Sequence, residues 1–454
     1  MSKLSVNQIL DTVKNSPSNR VKVAVADIDG VLRGKYMSKE KFLQVAESDF
    51  GFCDVVFGWD CADAAYDNSI ITGWHTGYPD TPSKVDLRTL RQIPWEDQTP
   101  FFLADFDIEN SKVSKIDPRT LLKKVVSQAE NMGFVPKFSQ EFEWFNFKET
   151  PQSVYSKGFK DLEPLTHGMF GYSILRASLH QEFLADLMNM CLSFGIPIEG
   201  LHTETGPGVL EAAITYSDAL EAADRAILFK TAVKEIAYKH GILPTFMAKI
   251  SENLPGCSGH VHQSLSAAEN GKNLFYDEKS ADRISTLMKH YIAGQLYCLP
   301  HILPMLAPTV NSYKRLVEGA WAPTTLTWGI DNRTTAIRAL PGGSKSCRIE
   351  TRVVGSDTNS YLAMAACLAA GLYGIHQKLE LQPETKGNGY LEKSFGVLPS
   401  NLYEATIKMQ NSPLAIELFG KAFVEHFCGT RLWEWRKFSA SVTDWETKRY
   451  FEII

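Results

Sequence analysis

Residues 133–147 read GFVPKFSQEFEWFNF. Beyond Phe134-Val135-Pro136 the stretch has strand character, and a period of two puts Glu141 and Glu143 on one face with Phe142 on the other. Two like charges sharing a face need cations, and a solvated pair on an exposed strand is the alternative. Outward from this stretch, strand-like segments (residues 196–204, 244–250, 258–265, 324–340 and 346–354) alternate with helix-like ones (177–194, 218–240, 281–299, 358–377 and 401–428). The pattern predicts an α+β fold without an internal repeat or low-complexity segment.

Upstream, residues 21–37, VKVAVADIDGVLRGKYM, alternate β-branched and small residues up to Asp29-Gly30 and resume past Arg33-Gly34, which reads as a hairpin. Residues 51–80 are rich in Gly, Asp, Trp and Tyr with little periodicity, the composition of a long functional loop. Ile116-Asp117-Pro118-Arg119 then opens a helix: Asp suits the N-cap, Pro the first turn, and Leu121, Leu122, Val125 and Val126 share a face. A domain boundary is expected there, separating a small β-rich unit (1–115) from a large one (116–454).

The bulk composition excludes several classes. With 454 residues, 44% hydrophobic and 22% charged, the chain is of ordinary globular type. Forty-seven Lys+Arg against 52 Asp+Glu give a net charge of −5, too acidic for a nucleic-acid footprint. The N-terminus lacks the apolar core of a signal peptide. The longest nearly apolar run, Tyr361 to Ile375, is too short for a bilayer and right for a buried helix. A cytoplasmic protein with no membrane partner is expected. Eight cysteines show neither C-x-x-C nor Cys/His ligand spacing and read as reduced thiols. Neither common nucleotide-binding glycine loop is present.

The remaining motifs add chemistry to the Glu141/Glu143 pair. His260-Val261-His262, with Ser264, repeats the two-residue period just after Pro255-Gly256-Cys257-Ser258-Gly259, whose glycines let backbone approach a ligand. Arg348-Ile349-Glu350-Thr351-Arg352 sets two guanidiniums around a carboxylate, and a solvated salt-bridge ladder is the plain alternative. His202-Thr203-Glu204 breaks at Gly206-Pro207-Gly208 and leads to Glu211. Arg315, Arg333 and Arg338 add groups shaped for phosphate and carboxylate. Hard carboxylate oxygens select Mg²⁺ or Mn²⁺ over zinc, and arginines beside divalent ions suit a transferred phosphoryl group. A metal-dependent phosphoryl-transfer site follows.

Taken in order, EFE, ETGPG…E, GHVHQS, NSYKRL, DNRTTAIR and RIETR resemble the glutamine synthetase family, from the hairpin at 21–37 to Leu372-Tyr373-Gly374-Ile375, with a looser match beyond. The resemblance implies a small N-terminal β-grasp domain followed by a large catalytic domain whose curved antiparallel sheet forms a funnel. It implies two or more Mg²⁺ or Mn²⁺ per site, one held by Glu143, Glu204 and Glu211 and a second by Glu141, His260 and Glu350. ATP would meet Glu199, His202, Ser264, Arg338, Lys345 and Arg348. Glutamate would meet Gly256, Arg315 and Arg352, with Arg333 on the transferred phosphoryl group. Such subunits form homo-oligomers, usually dodecamers of two stacked rings, in which Asp60 would reach a neighbour's site.

Two departures bear on the nitrogen substrate. Glutamine-forming members carry Tyr-Glu-Ala-Pro after K-R-L, where this chain has Ala320-Trp321-Ala322-Pro323, so an indole replaces an anion of the ammonium site. The usual Asp-Gly-Ser-Ser reads Asp60-Cys61-Ala62-Asp63, while Tyr172 still matches. Val209 and Pro255 also depart from common family residues, and no adenylylation loop is recognisable around 380–400. These changes resemble the branch that couples glutamate to organic amines, the γ-glutamylpolyamine and γ-glutamyl-monoamine synthetases. Asp60 is then expected to deprotonate the amine, Trp321 to pack its carbon chain, and Asp63 to hold a distal ammonium if the substrate is a diamine. An ammonium-using glutamine synthetase and a non-catalytic ring are the alternatives, and the sequence leaves the amine open.

Overall fold

The computed structural model describes residues 4–106 and 111–454. Strands β1 (Arg20–Ala26), β2 (Leu32–Ser38), β3 (Phe50–Cys53), β4 (Asp80–Val85), β5 (Arg91–Ile93) and β6 (Thr99–Phe106) form one sheet of order β2-β1-β6-β4-β3, with β5 on β6. β1 and β2 are the hairpin read from residues 21–37, and Gly30 (φ +80°) supplies the left-handed turn residue. One face of this sheet is a core of its own around Val21, Val23, Val25, Phe42, Phe102 and Phe106. The other face, through Ala24, Ala26, Phe101 and Leu103, joins the core of the large unit.

The second sheet comprises β7 (Phe134–Phe147), β8 (Ile198–Thr203), β9 (Val209–Ile214), β10 (Ser217–Asp218), β11 (Leu243–Thr245), β12 (Val261–Ala267), β13 (Trp328–Ile330), β14 (Ile337–Leu340) and β15 (Arg348–Thr351). Its order is β13-β14-β15-β12-β7-β9-β8, antiparallel except between β13 and β14, and it curls into a half-barrel. β7 alternates as its sequence requires: Phe138, Gln140, Phe142 and Trp144 are buried, while Lys137, Ser139, Glu141 and Glu143 face the concave side. Phe142 stacks on Phe229 with ring centroids 5.7 Å apart, and Trp144 on Phe246 at 5.7 Å. Full burial contributes about 1.5–3 kcal/mol for a phenylalanine-sized side chain, and each aromatic pair about 0.5–1.5 kcal/mol more. This is ample to fix the register that aims the glutamates.

Helices Pro118–Asn131, Ala219–Lys239, Thr286–Ile302 and Ser360–Gln377 complete that core. Asp117 caps the first of them, accepting from Arg119 N. The apolar run from Tyr361 is a helix buried on nearly every side, and among the described residues no helix is long and apolar enough to cross a membrane. All eight cysteines are free, and only Cys61 is exposed.

The structure corrects several expected boundaries. The segment 324–340 is two strands, broken at Asp331 (φ +51°). The segment 244–250 yields only the three residues of β11. The stretch 401–428 is three helices, Leu402–Gln410, Pro413–Phe419 and Lys421–Ala440, because Ser412 caps a new start at Pro413 and Gly420 (φ +86°) ends it. β9, after the Gly206-Pro207-Gly208 break, was not anticipated as a strand.

Candidate active site

Register in the large sheet decides which side chains meet. Glu143 on β7 stands opposite Glu211 on β9, and Glu211 opposite His202 on β8. On the other side of β7, His262 on β12 stands opposite Glu350 on β15, and Glu350 opposite Arg338 on β14. Directly opposed residues have Cβ atoms about 4.5–5.5 Å apart, so the Glu143/Glu211 pair is repulsive unless a cation lies between.

Two groups of ligand atoms result. Glu143, Glu204 and Glu211 each bring a carboxylate oxygen within 4.8 Å of the others. Glu143 accepts a hydrogen bond from Ser258 N at 2.7 Å, and Glu204 one from Thr205 N at 2.6 Å. Burial, with the Glu211 charge opposite, pushes Glu143 up to about 7, and Glu211 is raised in the same way by burial. A site that resists charging its own carboxylates is suited to a divalent cation. The second group is Glu141, Glu350 and His262, again within 4.8 Å. His260 touches both of its carboxylates, with Nδ1 2.7 Å from Glu141 and 3.1 Å from Glu350. Burial opposes ionisation of Glu141, but His262 and His260 outweigh it and hold the group well below the usual range. Burial and Arg352 push His260 down to about 4, so its imidazole is neutral, the form that binds metals. His262 joins this group although the family resemblance implies only His260 there, and the signal for it in the sequence is the two-residue period it shares with His260. Oxygen-rich donors with one or two imidazoles fit Mg²⁺ or Mn²⁺.

Beside the second group, a cavity of about 310 Å³ brings together Glu199, Ser264, Lys345 and Arg348, four of the residues expected to meet ATP, and adds Tyr216. The other two lie off its walls. His202 is 3.4 Å from Glu211 and stacks on Tyr172, with ring centroids 4.4 Å apart. Arg338 bridges Glu350 at 2.9 Å and Asp331 at 3.0 Å.

The residues expected to bind glutamate are contiguous. A Cβ on Gly256 would lie 2.7 Å from Arg315 Cγ, so glycine is what lets this loop close on the guanidinium's stem. Buried Arg315 donates to the carbonyls of Val353 (3.0 Å) and Arg352 (3.1 Å). Arg352 pairs with Glu350 and donates to the carbonyls of Arg333 (3.1 Å) and Trp321 (3.4 Å). Trp321 itself adopts a left-handed backbone (φ +58°) and leaves 62% of its surface exposed, so the indole fills no cavity in this chain. Tyr172 is also left-handed (φ +57°) and exposed. Asp60 and Asp63 lie on the loop after β3, and among the described residues no hydrogen bond or ion pair joins them to the carboxylate groups of the large sheet.

Residues 115–450 match the glutamine synthetase catalytic domain. The chain belongs to the glutamine synthetase family. It is 52% identical to a type-1 glutamine synthetase 2 of Dictyostelium discoideum, over 98% of this chain and 86% of that one. It is 35% identical to a glutamate–isopropylamine ligase of a Pseudomonas species, over 100% and 99% of the two chains. A solved GmaS–ADP complex superposes with a TM-score of 0.83 at 27% identity, covering 98% of this chain and 99% of that one. The protein is therefore an enzyme of the glutamine synthetase family, a group of ligases that use ATP and divalent metals.

Proposed function

We propose that this glutamine synthetase-family ligase converts glutamate to γ-glutamyl phosphate and couples it to an organic amine, giving a γ-glutamylamide. The observation that carries this reading is Trp321: an exposed indole, tethered by its carbonyl to Arg352, lies at the sequence position where the family resemblance expects the carboxylate of glutamine-forming members. An indole gives an alkylammonium apolar area and a cation–π face, and gives bare ammonium neither hydrogen bond nor charge.

Arg315, Arg352 and Gly256 hold glutamate, and Glu199, Ser264, Lys345 and Arg348 line the nucleotide cavity. Glu143, Glu204 and Glu211 hold one divalent cation, and Glu141, Glu350, His260 and His262 another. When bound, these ions neutralise charge on the phosphoryl oxygens. Arg333 adds positive charge at the transferred group. Asp60 takes a proton from the ammonium form of the amine, freeing the lone pair that attacks the acyl phosphate and releases phosphate. Among the described residues Asp60 makes no contact with the carboxylate groups of the large sheet, which supports its delivery to a neighbour's site in a homo-oligomer, as in stacked rings of twelve.

A second reading, an ammonium-using glutamine synthetase, is favoured by the 52% identical Dictyostelium relative. Phosphate release from ATP with glutamate and Mg²⁺, comparing ammonium with a panel of amines and weighing the products, separates the two. A γ-glutamylamide with little glutamine supports the proposal, and dominant glutamine formation refutes it. Trp321→Glu is expected to shift use toward ammonium.

A further inference from the structure

The loop that carries Asp60 is anchored by two residues that no motif singled out. Trp433, 5% exposed on the helix Lys421–Ala440, donates its indole N–H to Asp60 Oδ2 at 2.9 Å. Asp60 Oδ1 accepts from the backbone N–H of Ala62 (2.9 Å) and Ala64 (3.0 Å). A carboxylate has about four acceptor positions, so three are filled and one, on Oδ2, is left for a ligand N–H. Tyr66 packs edge-on against Trp433 with ring centroids 5.7 Å apart, fixing the indole that fixes the acid.

The second acid of the loop, with its side chain 58% exposed, has its charge met at one oxygen. Arg33 Nη1 lies 2.7 Å from Asp63 Oδ1, and its Nε lies 2.8 Å from buried Asp27. The guanidinium lies over Trp59, 5.3 Å from the ring centroid, and Nη2 donates to the Asp60 carbonyl at 3.5 Å. Pinned from these sides, Arg33 keeps a positive charge beside Asp63, where a second substrate ammonium would have to sit.

We propose that Trp433 is a positioning residue that aims Asp60, and that Arg33 determines specificity by compensating the charge of Asp63, so that the loop offers one uncompensated carboxylate to one ammonium and the enzyme takes monoamines over diamines. This rests on the amine-ligase reading above. The test compares kcat/KM for butylamine and 1,4-diaminobutane, matched in chain length. Wild type should favour the monoamine by about tenfold or more. Arg33→Gln should raise the diamine-to-monoamine ratio about tenfold by releasing Asp63. Trp433→Phe keeps the ring but removes the donor, and should lower kcat/KM for both amines about tenfold with the ratio and the KM for glutamate unchanged. Preference for the diamine in wild type, an unchanged ratio in Arg33→Gln, or a parallel rise in glutamate KM in Trp433→Phe overturns the proposal. Should Arg33→Gln fail to fold, Asp63→Asn decides: an unchanged ratio supports the proposal, and a selective loss of diamine use overturns it. Turnover with ammonium and with neither amine would instead defeat the amine-ligase reading itself.

Discussion

The proposed cation binding by Glu143, Glu204 and Glu211 has a consequence for stability that needs no substrate. Glu143 titrates at about 7 rather than its ordinary 4.5, because burial and the opposed Glu211 disfavour its charge. The cation-free fold therefore prefers protonated Glu143. That contribution to stability is complete below about pH 4.5 and is lost as pH rises through about 7. The loss between those limits is on the order of a few kcal/mol. A divalent cation favours the ionised group and reverses the slope. Denaturation midpoints measured between about pH 5 and about pH 8, in EDTA and in saturating Mg²⁺, should coincide at the acid end and separate with rising pH. In Glu143→Gln the loss of stability in EDTA should become much shallower and the gain from Mg²⁺ smaller. Equal midpoints with EDTA and Mg²⁺ at about pH 8, or a full slope retained in Glu143→Gln, would refute the assignment of this group as a cation site.

Other outcomes follow from single contacts. Gly256→Ala forces a methyl to within 2.7 Å of Arg315 Cγ and the Ala248 carbonyl, so glutamate KM should rise about tenfold or more while ATP KM holds, read from initial rates. Arg348→Ala opens the nucleotide cavity wall and should raise ATP KM about tenfold, with glutamate KM little changed. Arg119 is buried among Asp86 (3.0 Å), Asp105 (2.8 Å) and Asp224 (2.8 Å), tying the small sheet to helix Ala219–Lys239. Arg119→Met should cost about 3–5 kcal/mol in equilibrium denaturation, because it strands buried carboxylates.

What the sequence made legible was what short periods encode. The alternation of β7, the hairpin before Gly30, the Asp117 cap and the buried helix after Asn359 are all local patterns, and each stands where it was read. β9 was hidden because Gly206-Pro207-Gly208 looks like the end of a strand run, although Val209–Ile214 re-enters the sheet directly and brings Glu211 against Glu143. The three C-terminal helices were merged because apolar spacing continues across Asn411 and Gly420, while Ser412-Pro413 carried an overlooked start signal. The family resemblance named the carboxylates, but the choice of His262 beside Glu141 and Glu350 depends on cross-strand register, which no single strand reveals. Arg33–Asp63 and Trp433–Asp60 join residues 30 and 373 positions apart, beyond any local pattern.

The charge arrangement also bears on whether the chain is a catalyst or a non-catalytic ring. A structural assembly has no use for Glu143 facing Glu211, since the pair gains nothing in packing and burial raises both. Replacing either by an apolar residue would relieve repulsion at no cost to the packing of Phe138, Phe142 and Trp144, which point the other way. The same holds for Trp321 and Tyr172, bulky residues held at positive φ with their rings exposed, a conformation that strains the backbone. Opposed carboxylates in one part of the site and exposed, strained aromatic residues in another are each destabilising alone. Both become intelligible when cations, a phosphoryl donor and, on the proposed reading, an amine with a carbon chain occupy the space between them.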